Sequence, residues 1–332
     1  MELKRQAIAI PGLSLVALGV AGLVLGSRAL SQQSRHRPSS SRLQDLAHAA
    51  ATLSRRQKNP ATVIAAQRLN RAAGTLAASV LADSAVEHYR GSFKSKAMYT
   101  PLVVSALTLA TSIHGTSDSR RGAHAMRDIL YTMAAATGLV GTGFHIYNVG
   151  KKTGGFCWQN LFYRAPLGAP MAILLSGLIG FCSERVRDSA RRATPTIFNL
   201  PAGRTMAAVM GAGLLGTTGE AGLMHLRGAF HNPFMTLPVT LPPIGALLMA
   251  SAAAGPPGRN LWFTRWWMRL LAVMGFAGVG FHAYGVSRNM GGWRNWSQNI
   301  LSGPPLPAPP SFAGLALASL AVLGLMDDHP DA

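Results

Sequence analysis

Laid on itself, the chain matches at a spacing of 137 residues, and this self-similarity constrains the fold more than any other feature of the sequence. His88-Tyr89-Arg90-Gly91-Ser92-Phe93 returns as His225-Leu226-Arg227-Gly228-Ala229-Phe230, and Met98 and Pro101 are answered by Met235 and Pro238. A second motif, Gly141-Thr142-Gly143-Phe144-His145-Ile146-Tyr147, returns as Gly278-Val279-Gly280-Phe281-His282-Ala283-Tyr284 at the same spacing. In each copy the two histidines stand 57 residues apart. Gly154-Gly155 matches Gly291-Gly292, and after a net insertion of two residues Asn160 and Pro166 match Asn299 and Pro305. Self-similarity at a long period marks a duplicated structural unit.

The unit is helical and apolar. Eight apolar runs fall four to a copy: 61–86, 99–114, 126–149 and 166–182, then 201–226, 238–254, 261–286 and 305–326. Several are near 16 residues, short of the roughly 17–25 needed to cross a bilayer, so their ends extend into polar flanks or meet a thinned membrane. The second and fourth runs of each copy open at or near a proline, a residue suited to the first helical turn. Ala7–Gly26, after Lys4 and Arg5, has the length of a membrane span rather than the roughly 7–15-residue core of a signal peptide, although Ser27-Arg28-Ala29 also permits cleavage. The expected fold is therefore an all-α, polytopic transmembrane bundle of about nine helices: a tandem duplication of a four-helix unit plus one N-terminal span. Its segments are an anchor at 1–30, a basic polar linker at 31–60, repeats at 61–183 and 201–326 around a basic loop at 184–200, and an acidic tail at 327–332.

Composition agrees. Charged residues make up 13% of the 332, about half the roughly 25% usual for soluble domains. The net charge of +19 would suggest nucleic acid in a soluble protein, but here Lys and Arg lie between apolar runs and no nucleic-acid module is present. Residues 31–60 read as a solvated linker touching anionic lipid. Cys157 and Cys182 stand at opposite ends of one expected span, too far apart for a disulfide, and CxxCH and CxxC pairs are absent. HExxH, Walker A, GxGxxG and nucleophile-elbow motifs are also absent, so an enzyme acting alone is poorly supported.

An even number of helices per copy makes the copies parallel, related by a pseudo-two-fold axis along the membrane normal. The first and third helices of each copy end at a histidine, which brings His88, His145, His225 and His282 to one membrane face. Of the 31 Lys and Arg, 20 fall on the other side and 11 on the histidine side and N-terminus. The positive-inside rule then directs the histidines to the periplasmic face of a bacterial-type inner (plasma) membrane and the C-terminus to the cytoplasm.

Histidine near a membrane span is costly and reads as functional by default. Three function classes follow. In the first, each copy holds a b-type haem between His88 and His145, or His225 and His282, and electrons pass between a periplasmic redox subunit and quinone. Gly138 and Gly141, with counterparts Gly275 and Gly278, share the third helix's histidine face and offer either a groove for a flat macrocycle or a close helix contact. Arg90 and Arg227 suit haem propionates, or are snorkelling anchors. Phe93, Phe230, Tyr147 and Tyr284 wall a pocket or form an aromatic belt. In the second class, a non-catalytic scaffold for a partner subunit, the motifs are folding elements. In the third, the histidines gather around the axis as a copper or zinc site of a transporter, with Asp83 and Glu220, also 137 residues apart, as a proton or ion relay.

Overall fold

The computed structural model describes residues 61–163, 165–191 and 194–332. The expected anchor at 1–30 and linker at 31–60 lie outside the described residues. Ten α-helices account for most of the rest. In the first half they are α1 (Ala61–Arg90), α2 (Thr100–Ser117), α3 (Ala125–Gly150), the short α4 (Trp158–Tyr163) and α5 (Gly168–Asp188). In the second half they are α6 (Ala202–Arg227), α7 (Leu237–Ala254), α8 (Trp262–Ser287), the short α9 (Trp296–Ser302) and α10 (Pro310–Asp328). A hairpin of β1 (Thr196–Ile197) and β2 (Leu200–Pro201) joins the halves. Its two turn residues, Phe198 and Asn199, have φ of 51° and 63°, the left-handed pair that a tight antiparallel hairpin requires.

Local chemistry sets the helix starts. Ser95 accepts a hydrogen bond from the Ala97 amide, and Asn232 accepts one from Phe234; each opens a 3-10 turn that runs into α2 or α7. Pro101 and Pro238 then occupy the first helical turn, where a missing N–H costs nothing. Pro166 and Pro305 do not open helices as expected. They lie in the connections before α5 and α10, with their carbonyls committed to histidine side chains.

Among the described residues, six helical segments are long and apolar enough to cross a membrane: Lys96–Ser117, Ala125–Gly150, Gly168–Asp188, Pro233–Ala254, Trp262–Ser287 and Pro310–Asp328. The chain is thus a helical, membrane-embedded protein. Sequence periodicity predicted eight such segments here; α1 and α6 fall outside the set. The reason is placement. α1 packs on α2, α5 and α10, and α6 on α7 and α10, so these helices need less lipid-compatible surface and carry residues such as Gln67, Asn70, Asp83 and Glu220.

In the first half α1 and α3 stand diagonally, each packed on α2 and α5; in the second, α6 and α8 stand diagonally between α7 and α10. The main core runs through both halves, with Leu69, Leu76, Ile179, Met210, Leu315 and Val322 fully buried. Large apolar side chains that remain exposed, among them Val103, Leu139, Leu247 and Val273, lie on α2, α3, α7 and α8, where lipid covers them.

Candidate functional site

His88 sits in the last turn of α1. The chain then reverses through Ser92 and Phe93, whose φ values are 56° and 45°. The matching α6 loop repeats the shape, with Ala229 at 54° and Phe230 at 45°. Left-handed backbone costs a non-glycine residue about 1–2 kcal/mol, and residues held there cluster at functional sites. Backbone bonds hold the turn: the Phe93 amide donates to the His88 carbonyl (3.0 Å), and Phe230 to His225 (3.1 Å). The turned-back phenylalanine meets its histidine edge-on, at 6.2 Å for His88–Phe93 and 6.1 Å for His225–Phe230.

All four imidazoles are fixed in one manner. His88 Nδ1 bonds the Met98 carbonyl at 2.5 Å and His225 Nδ1 the Met235 carbonyl at 2.8 Å. His145 Nδ1 bonds the Pro166 carbonyl, and His282 Nδ1 bonds the Pro305 carbonyl at 2.6 Å. A carbonyl only accepts, so the hydrogen of each neutral ring resides on Nδ1 and Nε2 keeps a bare lone pair. No described residue bonds any of the four Nε2 atoms. Two bonds cross between the halves: Arg227 donates to the Phe162 carbonyl at 3.1 Å, and Ser79 of α1 donates to the Pro307 carbonyl at 2.5 Å.

Among the described residues there is no group of three or more His, Cys, Asp or Glu able to hold a metal ion. Of the two uses open to the repeated glycines, the close helix contact is visible. A methyl on Gly138 would come within 2.3 Å of the Leu174 amide nitrogen, and one on Gly275 within 2.5 Å of the Ala313 nitrogen. Gly141 and Gly278 face Pro170 and Pro309 at 3.1 Å and 2.6 Å. These glycines admit the close approach of α5 and α10.

The arginines are occupied. Arg90 pairs with Glu87 at 2.7 Å on the surface, and Arg227 reaches across to α4, over the Tyr163 ring. Glu220 caps α5, its carboxylate accepting from the Gly168 amide at 3.0 Å. Asp83, half-buried on α1, forms no such bond with a described residue.

Two features were not anticipated as working parts. Asn160 and Asn299, both buried, donate to the Gly155 and Gly292 carbonyls at 2.7 Å and 2.8 Å. They clamp double-glycine turns whose φ values are 88° and 54° in one half and 80° and 52° in the other; the repetition of both Asn and Gly-Gly was the signal. The other feature lies at the far end of the first half. Arg127 bridges Asp118 (2.8 Å) and Glu184 (2.9 Å), and Arg187 donates to the Gly115 carbonyl, with Arg127, Glu184 and Arg187 almost wholly buried. Above them Asn70 donates to Ser183 at 2.9 Å, Tyr131 donates to Asn70, and Ser112 meets Tyr131 at 3.2 Å, one side chain from each of four helices. Burial pushes the Asp118 carboxyl up, but the Arg120 amide and the Arg127 and Arg187 guanidiniums outweigh it and hold the group below its ordinary range.

Comparison with protein-family models, with curated proteins and with solved structures finds no match to this chain.

Proposed function

We propose that the chain is a tandem duplication of a four-helix membrane unit and serves as an electron-transfer subunit, each unit holding a b-type haem between His88 and His145 or between His225 and His282. In this reading α1 and α6 also cross the membrane, the histidine end faces the periplasm, and electrons pass between a redox partner there and quinone. One observation carries it: four imidazoles, in matching positions, each fixed through Nδ1 with Nε2 left bare. Ligating histidines typically donate the other ring N–H to a backbone carbonyl or carboxylate, which sets the tautomer and raises ligand basicity. Diagonal helices separated by two neighbours each contribute one histidine, and each such pair would hold the haem iron. Bound there, haem would supply one-electron chemistry; the chain's own residues would hold it, exclude water and position it.

The same four bonds favour a second reading, a non-catalytic scaffold, because each also ties a connecting loop to a helix end. The test is the visible spectrum of the detergent-solubilised protein produced with haem supplied. The haem reading expects Soret absorption and a sharp band in the reduced state, lost in steps as each histidine pair is replaced. Absence of both bands in folded protein, with assembly weakened when the four histidines become Ala, favours the scaffold.

A further inference from the structure

The two ends of the bundle carry positive charge differently. At the far end acids lie among the cations and pair with some of them: Arg120 and Arg127 with Asp118, Arg127 and Arg187 with Glu184, Arg185 with Asp128 and Arg265 with Asp327. At the histidine end the connecting segments 91–99, 151–167, 228–236 and 288–309 contain seven Lys and Arg and no Asp or Glu. Lys94, Lys96, Lys151, Lys152, Arg288 and Arg294 are exposed there, and none forms an ion pair. Within the same loops Phe156, Trp158 and Trp293 are at least half exposed, and Met290 is 92% exposed. These loops extend beyond Tyr147 and Tyr284, the exposed tyrosines near the ends of α3 and α8, whose preferred level is the membrane interface. Exposed aromatic and Met side chains are enriched at protein-docking surfaces, and an acid-free face of four Lys and two Arg attracts and orients an anionic partner.

We infer that the histidine-end surface docks a soluble redox protein through an acidic face. The partner's redox character rests on the electron-transfer reading above; the acidic face rests on charge complementarity alone. An anionic lipid headgroup is the competing occupant, and the test separates them.

The experiment uses the full chain in nanodiscs of neutral phosphatidylcholine, with an acidic flavodoxin as probe and a basic cytochrome c as control. Binding of flavodoxin, absent for cytochrome c, is expected at low salt. It weakens about tenfold or more toward 150 mM salt, where the screening length is about 8 Å. Combined replacement of Lys94, Lys96, Lys151 and Lys152 by Glu abolishes it, and Met290→Ser weakens it severalfold at unchanged salt dependence. Flavodoxin binding no stronger than the control, or unaffected by charge reversal, overturns the inference. So does a charge-reversed protein that loses only phosphatidylglycerol retained through purification, which marks the loops as a lipid contact. A variant with all four histidines changed to Ala retains flavodoxin binding if docking is right, whether or not haem is ever bound; failure of the haem reading and failure of the docking surface are thus distinguishable.

Discussion

The two halves share a backbone but not a core. At the far end of the first half, Asn70, Ser112 and Tyr131 form a buried hydrogen-bonded cluster above the Asp118–Arg127–Glu184–Arg187 ion network. The residues 137 further on are Ala207, Met249 and Met268, all fully buried and apolar, while Arg127 is matched by Thr264 and Asp118 by Gly255. Helices α3 and α8 nonetheless both span 26 residues at that spacing. Either a buried polar network or a methionine-filled interior therefore holds the same four-helix arrangement. A buried ion network is weak grounds for extra stability, because desolvation offsets the attraction, but breaking one is expensive. Methionine adapts to irregular gaps and costs only packing when altered. At the histidine end the halves agree in the four imidazole–carbonyl bonds and the two Asn clamps, and that is where function is proposed.

Each prediction breaks or sharpens this comparison. The largest effect is expected from Arg127→Met, which leaves Asp118 and Glu184 buried without their cation and costs about 3–5 kcal/mol, read as lowered thermal unfolding in detergent. Met268→Ala, in the apolar counterpart, is expected to cost about 2–5 kcal/mol through lost contact and a cavity. Replacing Asn70, Ser112 and Tyr131 together by the second half's Ala, Met and Met removes donors and acceptors at once and costs far less than the sum of the single changes. If the triple variant is worse than that sum, the two cores are not interchangeable solutions.

Next come the glycine contacts. Gly138→Ala and Gly275→Ala force apart helices that approach within 2.5 Å of the added methyl, at about 1–3 kcal/mol each. Gly143→Ala and Gly280→Ala, which meet nothing within 4 Å, gain slightly from helix propensity, by about 0.5–1 kcal/mol. Equal effects at the two kinds of site would contradict the close packing.

Acidification distinguishes the halves more gently. The Asp118 carboxyl is held below its ordinary 3.8 in the folded protein, so its contribution is fully present above that value and fades as pH falls through the lower folded value. Hydrogen exchange in 114–124 should accelerate below about pH 4, while 251–261, with Gly255 in place of the acid, should not follow. Asp118→Asn abolishes this pH dependence and destabilises the neutral protein. The smallest effect is expected from Arg90→Ala, since a pair this exposed contributes about 0–1 kcal/mol.

Much of the fold was legible because apolar runs and repeats report it directly. The start of α1, the course of α3 and α8, and the single-ended placement of the four histidines all follow from run lengths and the even number of helices per copy. The site was legible at the level of residue choice: His88, His145, His225 and His282 stand out by repetition. Their fixing carbonyls did not stand out, because any backbone carbonyl looks alike in sequence, although Pro166 and Pro305 were marked by recurrence. Periodicity also left open whether Gly138 and Gly275 face a ligand or a helix, since both need a missing side chain. The Asn70–Tyr131–Ser112 cluster left no repeat signal, and a lone Asn or Tyr in an apolar run resembles a tolerated surface residue. Arg127 counted only toward the positive charge of one side and Glu184 was not singled out; their burial follows from helix ends converging in space, which run lengths do not encode.

The central claim is that the two histidine pairs are equivalent ligand sets. Haemin titration into the purified chain, followed by absorbance near the Soret maximum, measures this directly. Two equivalents are expected to bind, one being lost in His145→Ala, the other in His282→Ala, and both in the double variant. Binding of no haemin, or the same amount to all four proteins, would contradict it.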